Sequence, residues 1–371
     1  MMYFNMETRD YQQESVLKDF MLTPAPSGYE CGMAYKLKDY LDPICDETTI
    51  DQCGNCAGLI KGTEGRYRVM VFAHMDQLGF MVRFIEEDGY LQADRLGGVP
   101  EKVLPGLAVM VRGEDGLWHP GVFGVKSHHA ESAEEKYRAL PITSLHMDLG
   151  AKSGAEIREM GIHPGCPAVY APSFTRLYGT RIAGTSVDNR GGCSVLVEMA
   201  RLLRRNRPKC DVYLAGTVWE EFNLRGAMLA ARSIKPDIAI SLDVTLSGDT
   251  HDLERRYETA LGQGACVQLY SFHGRGTLNG TLPHEPLFRH VRQTAQRLSM
   301  KFQRFAGVGI LTDASYLQLE GNGIACLEMG FPARYTHSPV EVCDTEDLSA
   351  LAVLCAEAAA GIDGKFPLAR Y

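Results

Sequence analysis

The chain has 371 residues, 45% of them apolar and 23% charged, and a net charge of −8. At roughly 150 residues per domain the length suggests two to three domains and a large core, and the composition excludes a disordered chain, a collagen and a coiled coil. The acidic balance suits neither nucleic acid nor anionic lipid, and no apolar run reaches the ~18–20 residues of a membrane span.

Residues 1–10 carry no basic segment followed by an apolar one, so no secretory signal is read. Eleven cysteines, odd in number and scattered along the chain, point to reduced thiols and a cytoplasmic protein. A first helix is predicted over 10–22, with Val16, Leu17, Phe20 and Met21 on its apolar face, and the proline run from Thr23 to Gly28 stops it. A second helix is predicted over 35–41. Cys53-Gly54-Asn55-Cys56 reads as a hairpin turn rather than a redox or half-zinc motif, because no second pair accompanies it. The apolar run 68–73 suits a strand buried on both faces, ending at His74-Met75-Asp76.

Between 81 and 181 the pattern changes to short alternating strands, including 107–111 and 121–125. Asp88-Gly89 and Asp115-Gly116 supply turns, and one helix is expected over 152–160. Helices and strands then alternate: helix 193–203, strand 211–218, helix 224–233, strand 238–242, helix 286–298, strand 323–329 and helix 344–360. That alternation predicts an α/β fold, with a largely parallel sheet covered by helices on both faces and a β domain inserted into it.

Five local signals carry chemistry, most of them beside a predicted strand end or helix start, where open α/β sheets bind ligands. His74 ends a strand, and Asp76 follows with the same side-chain direction, able to hold an imidazole tautomer. Asp188 precedes a helix and suits either a shared metal carboxylate or a helix cap. Glu220 and Glu221 are adjacent acids at a strand end, crowded unless a cation or shared proton relieves them. Asp243 ends an apolar strand, and His337 lies between the last strand and the last helix. Each has a plainer reading as a cap, loop or surface residue. Together, two imidazoles and four carboxylates suit zinc, cobalt or manganese, and a bridging Asp suits two ions about 3.5–4 Å apart, as in aminopeptidases.

The sequence resembles the tetrahedral (TET) aminopeptidases, a family that includes glutamyl and deblocking aminopeptidases and members labelled endoglucanase. The resemblance spans nearly the whole chain. It rests on Ala25-Pro26-Ser27-Gly28-Tyr29-Glu30, His74-Met75-Asp76-Gln77-Leu78-Gly79, Asp148-Leu149-Gly150-Ala151-Lys152-Ser153 and Val187-Asp188-Asn189-Arg190. Glu220-Glu221 with Leu224-Arg225-Gly226-Ala227, Asp243-Val244-Thr245, Ser247-Gly248-Asp249-Thr250, Thr312-Asp313-Ala314 and the segment from Arg334 to Glu341 complete it. It implies a three-layer α/β/α zinc-peptidase-like catalytic domain over 1–82 and 180–371. A PDZ-like, mostly β oligomerisation domain would occupy 83–179, within a homododecamer acting on small peptides.

The resemblance also implies roles. His74 and Asp243 would hold one metal, Glu221 and His337 the other, and Asp188 would bridge them. Glu220 would be the general base and Asp76 would orient His74. Two divalent ions per subunit are implied, zinc first, with cobalt or manganese as alternatives. Three departures bear on substrate choice: Trp219 beside the acid pair, Phe222-Asn223 where the family has Val-Gly, and the stretch 251–256 where it has a Pro-Gly-rich loop. Trp219 and Phe222-Asn223 are expected to narrow the pocket, and Asn223 to tolerate the positive φ of the turn. The competing readings are a metal-dependent deacylase or carboxypeptidase, a glycoside hydrolase, which leaves both histidines without a role, and a shell that has lost turnover.

Overall fold

The computed structural model describes residues 6–253, 256–273 and 280–370. Residues 1–5, read above for a signal, lie outside them, as do Glu254 and Arg255 of the 251–256 stretch. Strand Arg68–His74 runs through the middle of a nine-stranded sheet, buried at every position but Arg68. Asp211–Thr217 lies parallel to it on one side and Ile238–Leu246 on the other, and Ala325–Ala333 lies parallel to Ile238–Leu246. The expectation of a largely parallel sheet holds only for this centre. Toward one edge, Cys56–Ile60 and Glu47–Ile50 add antiparallel strands. Toward the other, Cys266–Phe272 pairs antiparallel with Ala325–Ala333 and with Gly280–Thr281, and parallel with Gln303–Val308.

A short connection explains the outermost antiparallel pair, Glu47–Ile50 with Cys56–Ile60, since a hairpin needs only a tight turn. The Asp51 carboxylate accepts the Cys53 and Asn55 N–H groups at 2.8 and 3.0 Å, which folds the hairpin around the Cys53–Cys56 segment as expected. All eleven cysteines are free.

Side chains alternate across the central strand. Val69, Val71 and Ala73 pack into the larger core with helices Cys31–Leu41, Val187–Arg205, Glu285–Leu298 and Thr345–Gly361, and with the first helix, Met6–Met21. Met70 and Phe72 face the other way, against helices Gly226–Ile234 and Ala314–Leu317. The result is the α/β/α layering the sequence implied.

Six strands between Gly79–Ile85 and Pro167–Tyr170 close into a barrel with its own core, including Phe80, Leu91, Val109, Phe123 and Met147. The strand expected over 121–125 is Trp118–Phe123, starting just after the Asp115-Gly116 turn. A small sheet unforeseen in the sequence, Phe174–Arg176, Arg181–Gly184 and Glu341–Asp344, follows the barrel. Of the elements that run longer than expected, two carry candidate site residues. The strand expected to end at 242 continues to Leu246, paired residue by residue with Ala325–Ala333. The helix expected from 193 begins at Val187, with non-helical backbone at Asp188 and Asn189. Among the described residues no helix is long and apolar enough to cross a membrane.

Phe72 is 1% exposed and fills the space between the sheet and the Gly226–Ile234 helix. Phe72→Ala is expected to lower stability by about 3–5 kcal/mol, read as a lower urea midpoint by circular dichroism. An unchanged midpoint would contradict that packing.

Candidate metal centre

His74 closes the central strand and is almost completely buried. Its Nδ1 lies 3.1 Å from the backbone carbonyl of Asp76, and its Nε2 lies 3.0 Å from Asp188 Oδ1. Asp243 Oδ1 and Glu220 Oε2 approach the same Nε2 at 3.8 and 3.9 Å. On the far side of Asp188, His337 Nε2 lies 3.7 Å from Asp188 Oδ2 and 3.9 Å from Glu221 Oε2. The six residues His74, Asp188, Glu220, Glu221, Asp243 and His337 thus meet in one place.

Each position follows from the local fold. Asp188 is not a helix cap: Ser186, with a left-handed φ of 61°, holds that place, and the Asp188 carboxylate turns toward the two imidazoles. Asp243 lies within its strand rather than at the strand's end, because pairing with Ala325–Ala333 runs past it. The acid pair follows Asp211–Thr217, where Trp219, Asn223 and Leu224 all have positive φ. Asn223 tolerates its φ of 72°, as expected of Asn.

The Asp76 carboxylate does more than face His74, from which it is 3.5 Å away. Its Oδ1 accepts the Glu220 N–H, and its Oδ2 accepts the Glu221 N–H and the Ser27 hydroxyl. It therefore fixes the backbone of both glutamates, while its own carbonyl faces the His74 ring. A carbonyl only accepts, so His74 Nδ1 carries the hydrogen and Nε2 is left to the carboxylates. His337 repeats this arrangement, with Nδ1 3.0 Å from the Gly98 carbonyl.

The charge balance is unfavourable as it stands. Burial pushes the Glu220 and Asp243 carboxyls well above their usual range and Glu221 up to about 7. Burial pulls His74 and His337 down, yet the carboxylates outweigh it. Glu220 and Asp188 hold His74 well above the ordinary imidazole value, and Glu221 and Asp188 lift His337 to about 9. Glu221 Oε1 is buried with no hydrogen-bond partner. His74, Asp188 and Glu221 each place one ligand atom within 4.8 Å of the others. Mixed imidazole and carboxylate donors, an orphaned carboxylate oxygen and ring nitrogens aimed inward fit divalent cations.

A cavity of about 560 Å³ opens over these groups. Asn223 and Leu224 line it, but Trp219 does not, contrary to the expectation that it narrows the pocket. The indole instead packs against the main core, and its backbone N–H donates to buried Glu30. Phe222 is 46% exposed beneath the Arg225 guanidinium and does not line the cavity either.

Several supporting residues were quoted in the motifs above but given no role. Glu341 accepts the Asp188 N–H at 2.9 Å and the His337 N–H at 2.6 Å. Buried Asp313, pushed up to about 7 by burial, accepts the Thr217 hydroxyl and the Ala227 N–H. An acid following a Thr or a Pro-Val pair has no local signal that separates it from a surface acid.

The chain matches the M42 glutamyl aminopeptidase family over residues 54–354. It is 32% identical to the lysyl aminopeptidase of Pyrococcus furiosus over 340 residues, 90% of this chain and 92% of that protein. Its structure superposes with a TM-score of 0.91 on an aminopeptidase from the archaeon Desulfurococcus kamchatkensis, 31% identical, covering 96% of this chain and 97% of that one. The TET1 peptidase of Pyrococcus horikoshii, which can assemble into a tetrahedron or a large octahedral shell, gives 0.82 at 28% identity, covering 94% of this chain and 100% of that one. The chain belongs to the M42 glutamyl aminopeptidase family. It is a metal-dependent aminopeptidase, a hydrolase acting at peptide N-termini with divalent ions.

Metal uptake competes with protons here. Glu221, at about 7, and His337, at about 9, hold protons in the metal-free protein near neutrality. A cation bound at these two side chains would displace them, and its affinity would then rise with pH. Calorimetric zinc titrations in buffers of different ionisation heat should show net proton release, with tighter binding as pH rises from about 6 to about 8. Binding without proton release would contradict this ligand set.

Proposed function

We propose that the centre holds two divalent ions per subunit and removes apolar residues from the N-termini of small peptides. His74 and Asp243 would hold one ion, Glu221 and His337 the other, with Asp188 between them. The observation that carries this reading is the Asp188 carboxylate, with Oδ1 3.0 Å from His74 Nε2 and Oδ2 3.7 Å from His337 Nε2. The four carboxyl groups of Asp188, Glu220, Glu221 and Asp243 can together supply the charge that two divalent cations would neutralise. Zinc is the first choice, with cobalt or manganese also suited to these donors.

When bound, such a pair of ions lowers the pKa of water toward ~7 and polarises a peptide carbonyl. The protein's part is proton transfer and positioning. Glu220 is buried at the cavity floor, and its raised pKa suits a group that accepts a proton from the attacking water and returns it to the leaving amine. Asp76 holds Glu220 and Glu221 in place through their backbone N–H groups. The free amine of a peptide N-terminus would sit beside these carboxylates and the ions they hold.

Beyond that floor the cavity wall includes Leu224, Val244, Leu246, Ile310, Leu311 and Tyr316, with Asn223, His273, Thr312 and Thr336 as its polar members. Apart from His273, no basic side chain lines that wall among the described residues, so an acidic N-terminal side chain would find little counter-charge there. This supports a preference for neutral apolar residues, unlike the preferences in the names glutamyl and lysyl aminopeptidase. The assembly of the P. horikoshii peptidase and the barrel's separate core support the inserted β domain as the oligomerisation domain of a homododecamer, with its first strand starting at Gly79 rather than at 83. The eleven free cysteines support a cytoplasmic location.

A panel of aminoacyl p-nitroanilides, free and N-blocked, tests this. Leu and Met substrates should turn over fastest, only with a free amine, and chelator should abolish release. Glu220→Gln should lower kcat about 10²–10⁴-fold while still taking up two zinc equivalents. Turnover of N-blocked substrates, full activity in Glu220→Gln, or fastest release of Glu or Lys would each overturn its part of the reading.

A further inference from the structure

The two imidazoles are held differently. His74 is 3% exposed, and its ring is fixed by the turn that ends its own strand. His337 is 39% exposed and lies between Ala325–Ala333 and Glu341–Asp344, in neither strand nor helix, with φ 67°. Such a residue needs anchors from elsewhere, and two of its three come from the barrel. Gly98, in the loop after barrel strand Leu91–Leu96, accepts the Nδ1 hydrogen at 3.0 Å. Tyr170, the last residue of barrel strand Pro167–Tyr170, points its hydroxyl at the His337 carbonyl, 3.5 Å away. Only the Glu341 carboxylate, on the His337 N–H, belongs to the small sheet.

The fit at Gly98 is close. A Cβ there would lie 2.8 Å from His337 Nδ1 and 3.0 Å from Cε1, so the imidazole rests on a bare Cα. The neighbouring Gly97, at φ +91°, is as tight: a Cβ would lie 2.4 Å from Leu78 Cδ2 and 3.5 Å from Glu221 Cβ. Gly98 and Pro100 also line the cavity.

We propose that the Gly97-Gly98 loop of the barrel is a positioning element of the metal centre: the Gly98 carbonyl sets the His337 tautomer, and its missing side chain leaves room for the ring. The barrel thereby shapes the His337–Glu221 metal position, and the His74–Asp243 position is independent of it. The inference rests on the two-ion reading above. An orienting acceptor behind a ligating imidazole contributes ~10–100-fold in metal affinity.

The test is zinc titration of the full-length metal-free protein by calorimetry, with cobalt absorption as a second readout. Wild type should take up two equivalents and His337→Ala one tight equivalent. Gly98→Ala should weaken one equivalent by ~10–100-fold, leave the other unchanged and alter the cobalt spectrum. Gly106→Ala is the control, because Gly106 is a barrel glycine at φ +84° whose added Cβ would meet only Val125, at 3.9 Å. It strains the barrel away from His337 and should keep both affinities. If Gly98→Ala does not fold, Tyr170→Phe carries the test, with a few-fold loss expected on the same equivalent.

Wild-type uptake other than two equivalents, or no loss in His337→Ala, would sink the two-ion reading and this proposal with it. With those two results as expected, unchanged affinities in the foldable barrel variant would sink the proposal alone. So would equal weakening of both equivalents, matched by Gly106→Ala.

Discussion

Asp188 offers one carboxylate oxygen to each of two imidazoles, and around it lie three further acids that burial discourages from ionising together. A protein gains nothing in stability from such a cluster. Each buried carboxylate opposes folding unless protons, hydrogen bonds or cations compensate it. The surrounding structure is arranged to hold the cluster together. Asp76, Glu341 and Asp313 accept backbone and hydroxyl hydrogens that fix the segments carrying the cluster, and two backbone carbonyls set the imidazole tautomers. The acidity that makes the cluster costly by itself is what suits it to divalent ions.

The fold makes this possible by separating tasks. The parallel centre of the sheet, sealed by helices on both faces, delivers His74, the acid pair and Asp243 to one side. Asp188 arrives from the start of a long helix, and His337 from a segment tied to the barrel and the small sheet. One half of the centre is thus built by the sheet alone and the other is assembled from several units. That asymmetry is visible in the burial of the two histidines, 3% against 39%.

Much of the centre was legible because its residues break apolar patterns. His74 ends a buried run, Glu220 and Glu221 follow another, and Asp188 precedes a helical periodicity. The three-layer class followed from the alternation of helices and strands. What was not legible depends on contacts between distant segments. The register with Ala325–Ala333 carries the Asp243 strand past its apolar run, and no local signal in that strand marks the extension. The pairings of Cys56–Ile60 with Asp211–Thr217, of Cys266–Phe272 with Ala325–Ala333 and of Arg181–Gly184 with Glu341–Asp344 join segments that sequence spacing does not link. Trp219 looked like a pocket residue from its neighbour Glu220, but a positive φ turns the backbone and the indole joins the core. Gly98 is one of 38 glycines, and only the ring resting on it distinguishes it.

The central claim is that Asp188 stands between two metal positions. Anomalous diffraction at the zinc edge, from crystals of the metal-loaded protein, tests it most directly. The account predicts two peaks per subunit, one beside His74 and Asp243 and one beside Glu221 and His337, with one Asp188 oxygen toward each. A single peak, or two peaks that do not share Asp188, would contradict it.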